Sequence, residues 1–316
     1  MQLLKNTRSF LAKIYHYSKD EAELLISPPD DRVLEEHTGN ITPGALTRIC
    51  LFASFDIKSK VNDYTLHYIE CLHEAGFEVI FCTTSGQLQK DDVEKLAPYC
   101  SKILRKTNVG FDFSSWNAAR VYIKNKEQYE MLLLANDSVY GPIFNLKSLF
   151  NRAIDQGEKK KFYGLMLSKE IGPHLPSYFL IFGKNFLNSP DFEQYWKRYK
   201  PFSRKERIVR TLEVAGGSFC LLRGIDLVPL FDANNLQNES SVVSAEEEIL
   251  LAHNPSLLKW KPLITERGFP FIKTELLKQN RFRLKNIEEW KEVVESGDYP
   301  ALKGKIEQHL SHLGIS

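Results

Sequence analysis

From residue 48 onwards the chain alternates short, unbroken apolar runs with amphipathic stretches. Arg48-Ile49-Cys50-Leu51-Phe52-Ala53, Phe77-Glu78-Val79-Ile80-Phe81-Cys82 and Met131-Leu132-Leu133-Leu134-Ala135 carry few or no polar positions. Runs of this length without alternation mark strands buried on both faces. Between them, residues 63–75, 91–97 and 113–124 read as helices, and Gly76 is placed to cap the first. Residues 101–104 predict one further short strand. Strands alternating with helices at this spacing predict an α/β fold with a mostly parallel central sheet flanked by helices.

The pattern changes on either side of this block. Phe162-Tyr163-Gly164-Leu165-Met166 and Tyr178-Phe179-Leu180-Ile181-Phe182 are aromatic and strand-like. A helix is expected over residues 206–214, and the stretch from about Ser244, rich in Leu, Lys, Glu and Trp, reads as helical. In residues 1–19, Leu3, Leu4, Phe10, Leu11 and Ile14 give a helix an apolar side, among basic residues and no acidic one. Such a helix either docks on the body or rests on anionic lipid. Ser27-Pro28-Pro29-Asp30-Asp31 and Pro43-Gly44 read as breaks. The expected organisation is therefore a helical extension over 1–45, a main α/β domain over 46–243 and a helical region over 244–316 packed on the core.

Composition narrows the classes. Of 316 residues, 43% are hydrophobic and 26% charged, which excludes wholesale disorder and fibrous repeats. Lys and Arg number 42 against 40 Asp and Glu, so no global basic excess points to nucleic acid. No apolar run approaches the roughly 18–20 residues of a membrane span, and a soluble chain without a secretion signal is expected. The five cysteines, Cys50, Cys71, Cys82, Cys100 and Cys220, fall in no metal-binding spacing. They read as reduced, buried thiols of a cytosolic protein.

In open α/β sheets, ligands bind beyond the carboxyl ends of the strands. Three segments meet that rule: Ser54-Phe55-Asp56, the stretch from Asn108 to Asn117 with Gly110 and Asp112, and Asn136-Asp137-Ser138-Val139-Tyr140-Gly141-Pro142. A carboxylate at Asp137 suits a hard divalent ion bridging phosphates; its plain alternative is a turn closed by Gly141-Pro142. Asp112 suits a ribose or base edge, or else belongs to a loop before a helix capped by Ser114 or Ser115. Asp56 faces a base or begins a turn.

Taken in order, Phe52-Ala53-Ser54-Phe55-Asp56, Asn108-Val109-Gly110-Phe111-Asp112-Phe113, Leu133 to Pro142, and His174-Leu175-Pro176-Ser177-Tyr178-Phe179-Leu180 resemble the rhamnan synthesis protein F family. Gly268-Phe269-Pro270-Phe271-Ile272-Lys273, preceded by Asn254-Pro255, resembles its C-terminal motif. The resemblance implies a GT-A-like glycosyltransferase of bacterial surface polysaccharides. Its expected donor is dTDP-L-rhamnose, and its expected acceptor a glycan or lipid-linked glycan. It also implies a cytoplasmic protein, peripheral on the inner face of the inner membrane. By that analogy Asn136-Asp137-Ser138 stands where Asp-x-Asp holds Mg²⁺ or Mn²⁺, but with one carboxylate instead of two. Ser54, Asp56, Asn108, Gly110, Asp112, Asn136, Ser138 and His174 would bind the nucleotide sugar, and Asp137 its diphosphate.

An inverting transferase needs a general base for the acceptor hydroxyl. Chain order among GT-A enzymes points to Glu213, with Glu170 and Asp112 behind it. The plain alternative for Glu213 is a solvated carboxylate paired with Arg207 or Arg210. Lys197, Arg198, Lys200, Arg204, Lys205 and Arg207 form a basic group that is either a solvated face or a counter-charge for pyrophosphate or membrane. Two other readings stay open: a non-catalytic scaffold that binds nucleotide sugar or glycan, and a transferase with another nucleotide-sugar donor.

Overall fold

The computed structural model describes residues 18, 21–22, 24–168, 172–233, 236, 255–281 and 283–315. The amphipathic stretch over 1–19 lies almost wholly outside the described residues, as do Glu170 and Asn254. The apolar runs form the strands expected of them. Eight strands make one sheet: β1 (Val33–Thr38), β2 (Arg48–Ser54), β3 (Phe77–Thr83), β4 (Cys100–Lys106), β5 (Met131–Asn136), β7 (Lys161–Gly164), β8 (Phe179–Gly183) and β9 (Asp226–Pro229). Their spatial order is β1-β4-β3-β2-β5-β8-β7-β9. β2 pairs in parallel with both β3 and β5, with Cys50 opposite Val79 on one side and Leu133 on the other. β3–β4 and β7–β9 are parallel too, whereas β1, and β8 on both its sides, run antiparallel to their neighbours.

Alternation within the buried runs sorts side chains onto two cores. On one face Cys50, Phe52, Val79, Phe81, Leu133 and Ala135 meet helix α1 (Asp63–Glu74) through Tyr68 and Leu72. The C-terminal helices reach the same core through Trp260, Leu263, Trp290 and Ile306. On the other face Ile49, Leu51, Ile80 and Leu132 meet Trp116 of helix α2 (Phe111–Ala119) and the aromatic set Phe186, Phe192, Tyr195 and Trp196. Each fully buried Leu, Ile, Val or Phe among them contributes about 1.5–3 kcal/mol. All five cysteines are free and buried.

Three expectations need correcting. The stretch expected as a helical extension supplies β1, an edge strand whose residues alternate between more and less buried. Its two acidic residues pair with β4 from opposite faces of the sheet, Glu35 with Arg105 and Glu36 with Lys102. The helix expected over 113–124 begins at Phe111 and ends at Ala119, followed by one 3₁₀ turn, Arg120–Tyr122. Ser114 and Ser115 therefore lie inside it as buried residues and do not cap it. The C-terminal region contains a strand, β10 (Ile272–Lys273), which pairs antiparallel with β6 (Val139–Tyr140) directly after β5. Among the described residues, no helix is long and apolar enough to cross a membrane.

Candidate functional site

The strand order reverses its direction of travel between β2 and β5, since β3 and β4 lie on one side of β2 and β5 on the other. Ligands of open sheets enter at such a switch point, and here the ends of the two strands are tied together. Ser54 Oγ and the Phe55 amide donate to Asp137 Oδ2 at 2.7 and 3.0 Å. Tyr64 OH donates to the Asp137 carbonyl at 3.0 Å. Burial pushes Asp137 from the usual carboxylate range up to about 7, and the neighbouring Asp112 adds to the rise. Asn136 Nδ2 donates to Asp112 Oδ2 at 2.8 Å. Asn136 Oδ1 accepts from the Ser138 amide and hydroxyl at 3.2 and 2.6 Å. Burial raises Asp112 as well, against the Asn136 hydrogen bond.

Beside this junction opens a cavity of about 470 Å³. Of the residues singled out in the sequence, Asp112, Asn136, Ser138, His174 and Glu213 line it together. Glu213 reaches it from a π-helical turn, Val209–Val214, set between the helical pieces Lys205–Ile208 and Ala215–Leu222. π-turns are rare, and functional sites often use them to re-aim a side chain. The Ser177 hydroxyl donates to Glu213 Oε1 at 2.8 Å, and His174 Nε2 stands 4.0 Å from Oε2. Burial raises Glu213, while Ser177, His174 and Lys273 pull the other way. His174 Nδ1 lies 2.8 Å from the Gly172 carbonyl, which can only accept, so Nδ1 carries a proton and Nε2 faces the carboxylate. Gly217 permits this approach, for a Cβ there would lie 2.3 Å from the Pro173 carbonyl oxygen. Glu213 is therefore not the solvated carboxylate of the plain alternative. Arg210 pairs with Glu206 and Arg207 with Glu21.

Other expected residues are not brought to the cavity. Asp56 uses Oδ1 to hold the Lys58 and Lys60 amides at 2.8 and 3.2 Å and Oδ2 to hold Asn62 at 3.1 Å. It organises its own loop. Asn108 is exposed. Gly110 has φ +70°, and a Cβ there would lie 2.6 Å from Tyr199 OH, so it serves a close packing contact. The basic group is partly spent inside the fold: Arg198 donates to the Thr211 and Ala215 carbonyls at 2.7 and 2.6 Å. Only Lys205 of that group lines the cavity. The residues around Asp137 offer a divalent cation few free protein oxygens. One of its oxygens already takes two donors, Asn136 Oδ1 is filled by Ser138, and among the described residues no three His, Cys, Asp or Glu side chains converge.

A sequence profile of rhamnan synthesis protein F matches residues 79–313, well over half of the chain. The chain belongs to this family. It is 26% identical over 149 residues to the uncharacterised protein y4gN of Sinorhizobium fredii (strain NBRC 101917 / NGR234), a match that covers 46% of this chain and 39% of that protein. It is 24% identical over 229 residues to virulence protein VirA of Vibrio anguillarum (strain ATCC 68554 / 775), covering 65% of this chain and 70% of VirA. Among solved structures, the glycosyltransferase GlyE of Streptococcus pneumoniae TIGR4 aligns with a TM-score of 0.42 at 13% identity, over 85% of this chain and 65% of GlyE. The WbbM bifunctional glycosyltransferase aligns with a TM-score of 0.39 at 10% identity, over 85% and 53%.

In this rhamnan synthesis protein F chain the cavity also holds residues that motif reading at the strand ends missed. Lys273, the last residue of β10, lines it, and the next residue, Thr274, donates its amide to the Ser138 carbonyl at 3.0 Å. Its ammonium sits 3.3 Å from the centroid of the Tyr178 ring. Burial pushes Lys273 down to about 7, opposed by Glu275, Glu213 and Asp112 and reinforced by Lys205. Lys278 stands near Asp137 and Asp56 and is also lowered by burial. The available signal was the Gly268–Lys273 string itself, whose final cation follows two buried apolar residues.

Proposed function

We propose that the chain is a glycosyltransferase that moves a deoxyhexose, L-rhamnose from dTDP-L-rhamnose, onto a hydroxyl of a growing lipid-linked bacterial surface polysaccharide. The observation that carries this reading is Glu213: a buried carboxylate on a π-turn, held by Ser177 and facing His174, at a cavity on the ligand edge of the sheet. Family membership supplies the substrate class.

In the proposed reaction the acceptor oxygen bonds the anomeric carbon while that carbon's bond to the phosphate oxygen breaks. The bonding pair leaves with dTDP, and the hydroxyl proton passes to Glu213, so configuration inverts. A carboxylate raised by burial is a better proton acceptor than one in water. The Ser177 hydrogen bond fixes one oxygen and leaves the other toward His174. Asp112, Asn136 and Ser138 offer hydrogen-bonding groups to the sugar and ribose hydroxyls. The lipid-linked acceptor puts the place of work at the cytoplasmic face of the inner membrane. Cosedimentation with anionic vesicles at low salt tests that placement, which falls if the protein stays in the supernatant.

Glu213→Gln keeps the shape and removes the base. The expected result is a loss of transfer of about 10²–10⁴-fold with dTDP affinity retained. Full transfer in the variant removes Glu213 from the mechanism. Tight dTDP binding without transfer or donor hydrolysis in the parent protein favours the scaffold reading. Preference for UDP or GDP keeps a transferase and discards rhamnose.

A further inference from the structure

A diphosphate leaving group needs counter-charge at the moment its bond breaks. The carboxylate expected to recruit that charge through a cation has one oxygen already taken by two donors and no cluster of further ligands around it among the described residues. The cavity carries positive charge of its own. The Lys273 ammonium lies over the Tyr178 ring and, among the described residues, makes no ion pair within 4.0 Å. Lys205, exposed at the start of the helix that carries Glu213, contributes a second charge at the rim. Both enter the cavity that Asn136 and Ser138 line at the end of β5. Glu275, Asp112 and Glu213 also line it, but none closes on Lys273 as a salt bridge. A partly buried ammonium without a carboxylate partner is expensive, and a cavity that holds one is suited to an anion.

We propose that Lys273, assisted by Lys205, forms a diphosphate-binding site that supplies the counter-charge in place of a divalent cation. This rests on the nucleotide-sugar reading above. β10 delivers the residue: Phe271 and Ile272 are buried in the core, and Lys273 pairs with Val139 immediately beyond Asn136-Asp137-Ser138. The strand therefore fixes the Lys273 backbone beside the turn that was expected to hold the metal, and its ammonium, over the Tyr178 ring, shares the cavity with Asn136 and Ser138. When the diphosphate binds, its oxygens become the acceptors the ammonium lacks in the free protein.

The test is calorimetry of the full chain with dTDP, UDP, GDP and inorganic pyrophosphate, each in EDTA and in Mg²⁺ or Mn²⁺, for the parent protein, Lys273→Met and Lys273→Arg. The expected result is diphosphate binding in EDTA that weakens roughly 10- to 100-fold in Lys273→Met, since a hydrogen bond to a charged partner is worth one or two factors of ten. Lys273→Arg, which keeps the charge, should recover part of the loss. Thermal melting of Lys273→Met should be no lower than that of the parent, which separates lost binding from lost folding. Nucleotide binding that needs the cation, or that is equal in Lys273→Met, overturns the proposal and leaves the transferase reading standing. Lys273-dependent binding of pyrophosphate with no affinity for any nucleotide does the reverse. No binding of any probe under either condition overturns both.

Discussion

Lys273 and Glu213 occupy one cavity and are driven in opposite senses by the same burial, the lysine toward losing its proton and the glutamate toward keeping one. For Lys273 this has a stability consequence whose sign can be worked out. Its folded value is about 7 against 10.5 in the open chain, so between those limits the unfolded state binds more protons and stability rises with pH. Below about 7 the full cost of the buried ammonium is present. Of the charged groups around it, Glu275, Glu213 and Asp112 favour the ammonium and Lys205 opposes it. Lys273→Met removes the cost, so its stability gain over the parent should be largest near pH 6.5 and shrink steadily toward pH 10. Urea unfolding of both proteins across that range reads the difference. A gain that is flat with pH means the ammonium is solvated in the folded protein. The same protonation should govern anions: dTDP affinity should fall as pH rises above 7 in the parent and stay level in Lys273→Met.

At the scale of elements, the site depends on how closely the helical stretch over residues 205–222 lies on the loop that carries His174. Gly217 sets that distance. In an exposed helix Ala would be better than Gly by about 1 kcal/mol, but here a Cβ would lie 2.3 Å from the Pro173 carbonyl oxygen and 3.3 Å from His174 Cβ. Gly217→Ala should therefore destabilise, by roughly 1–3 kcal/mol for an overpacked contact, and lower transfer by moving Glu213 away from His174. Urea melts and turnover of the variant check both, and a stabilised variant would show that the loop yields freely. The same scale explains what sequence could and could not disclose. β2, β3 and β5 were legible because strands buried on both faces are apolar at nearly every position, Glu78 being a buried exception that the Tyr129 hydroxyl and the Gly44 amide satisfy. β1 was not, because an edge strand alternates Val33-Leu34-Glu35-Glu36 and resembles any half-exposed segment. β10 was not, because two residues of pairing leave no period to detect. Glu213 could be singled out by chain order, yet its environment comes from a π-turn that periodicity does not register. Lys273 reached the site only through pairing with β6, a contact between distant parts of the chain.

On the scale of the whole molecule, the described parts of the two flanking regions, residues 24–45, 255–281 and 283–315, pack into the fold. The C-terminal helices share one core with the sheet, where Trp260, Leu263, Trp290 and Ile306 pack with Phe52 and Leu133. His309 of the last helix lies 2.9 Å from Tyr140 OH of β6, and Tyr64, which holds the Asp137 carbonyl, lies against its ring. The N-terminal side is secured by a charge. Lys106 at the end of β4 is fully buried, and its ammonium meets Asp31 at 2.7 Å, the Thr107 carbonyl at 2.8 Å and the Ser114 hydroxyl at 2.5 Å. Tyr199 OH donates to the other Asp31 oxygen at 2.8 Å. One carboxylate just before β1 thus joins β4, α2 and the basic segment that leads to Glu213. Removing it leaves the buried ammonium with only the Thr107 carbonyl and the Ser114 hydroxyl, and because Asp31 is itself 20% exposed the loss falls at the low end of the range for breaking a buried pair, about 3 kcal/mol. Asp31→Ala should lose that amount in urea unfolding. Adding Lys106→Met to Asp31→Ala should recover most of it, because a methionine of similar length fills the space without charge. A double variant as unstable as Asp31→Ala would mean that packing by Asp31, and not the charge of Lys106, holds β1 to the sheet. Because Asp31 also grips Tyr199, whose hydroxyl abuts Gly110, the single variant should loosen the approach to Asp112 before the sheet unfolds. Hydrogen exchange of the residue 110–116 amides, faster in Asp31→Ala than in the double variant, is the expected reading.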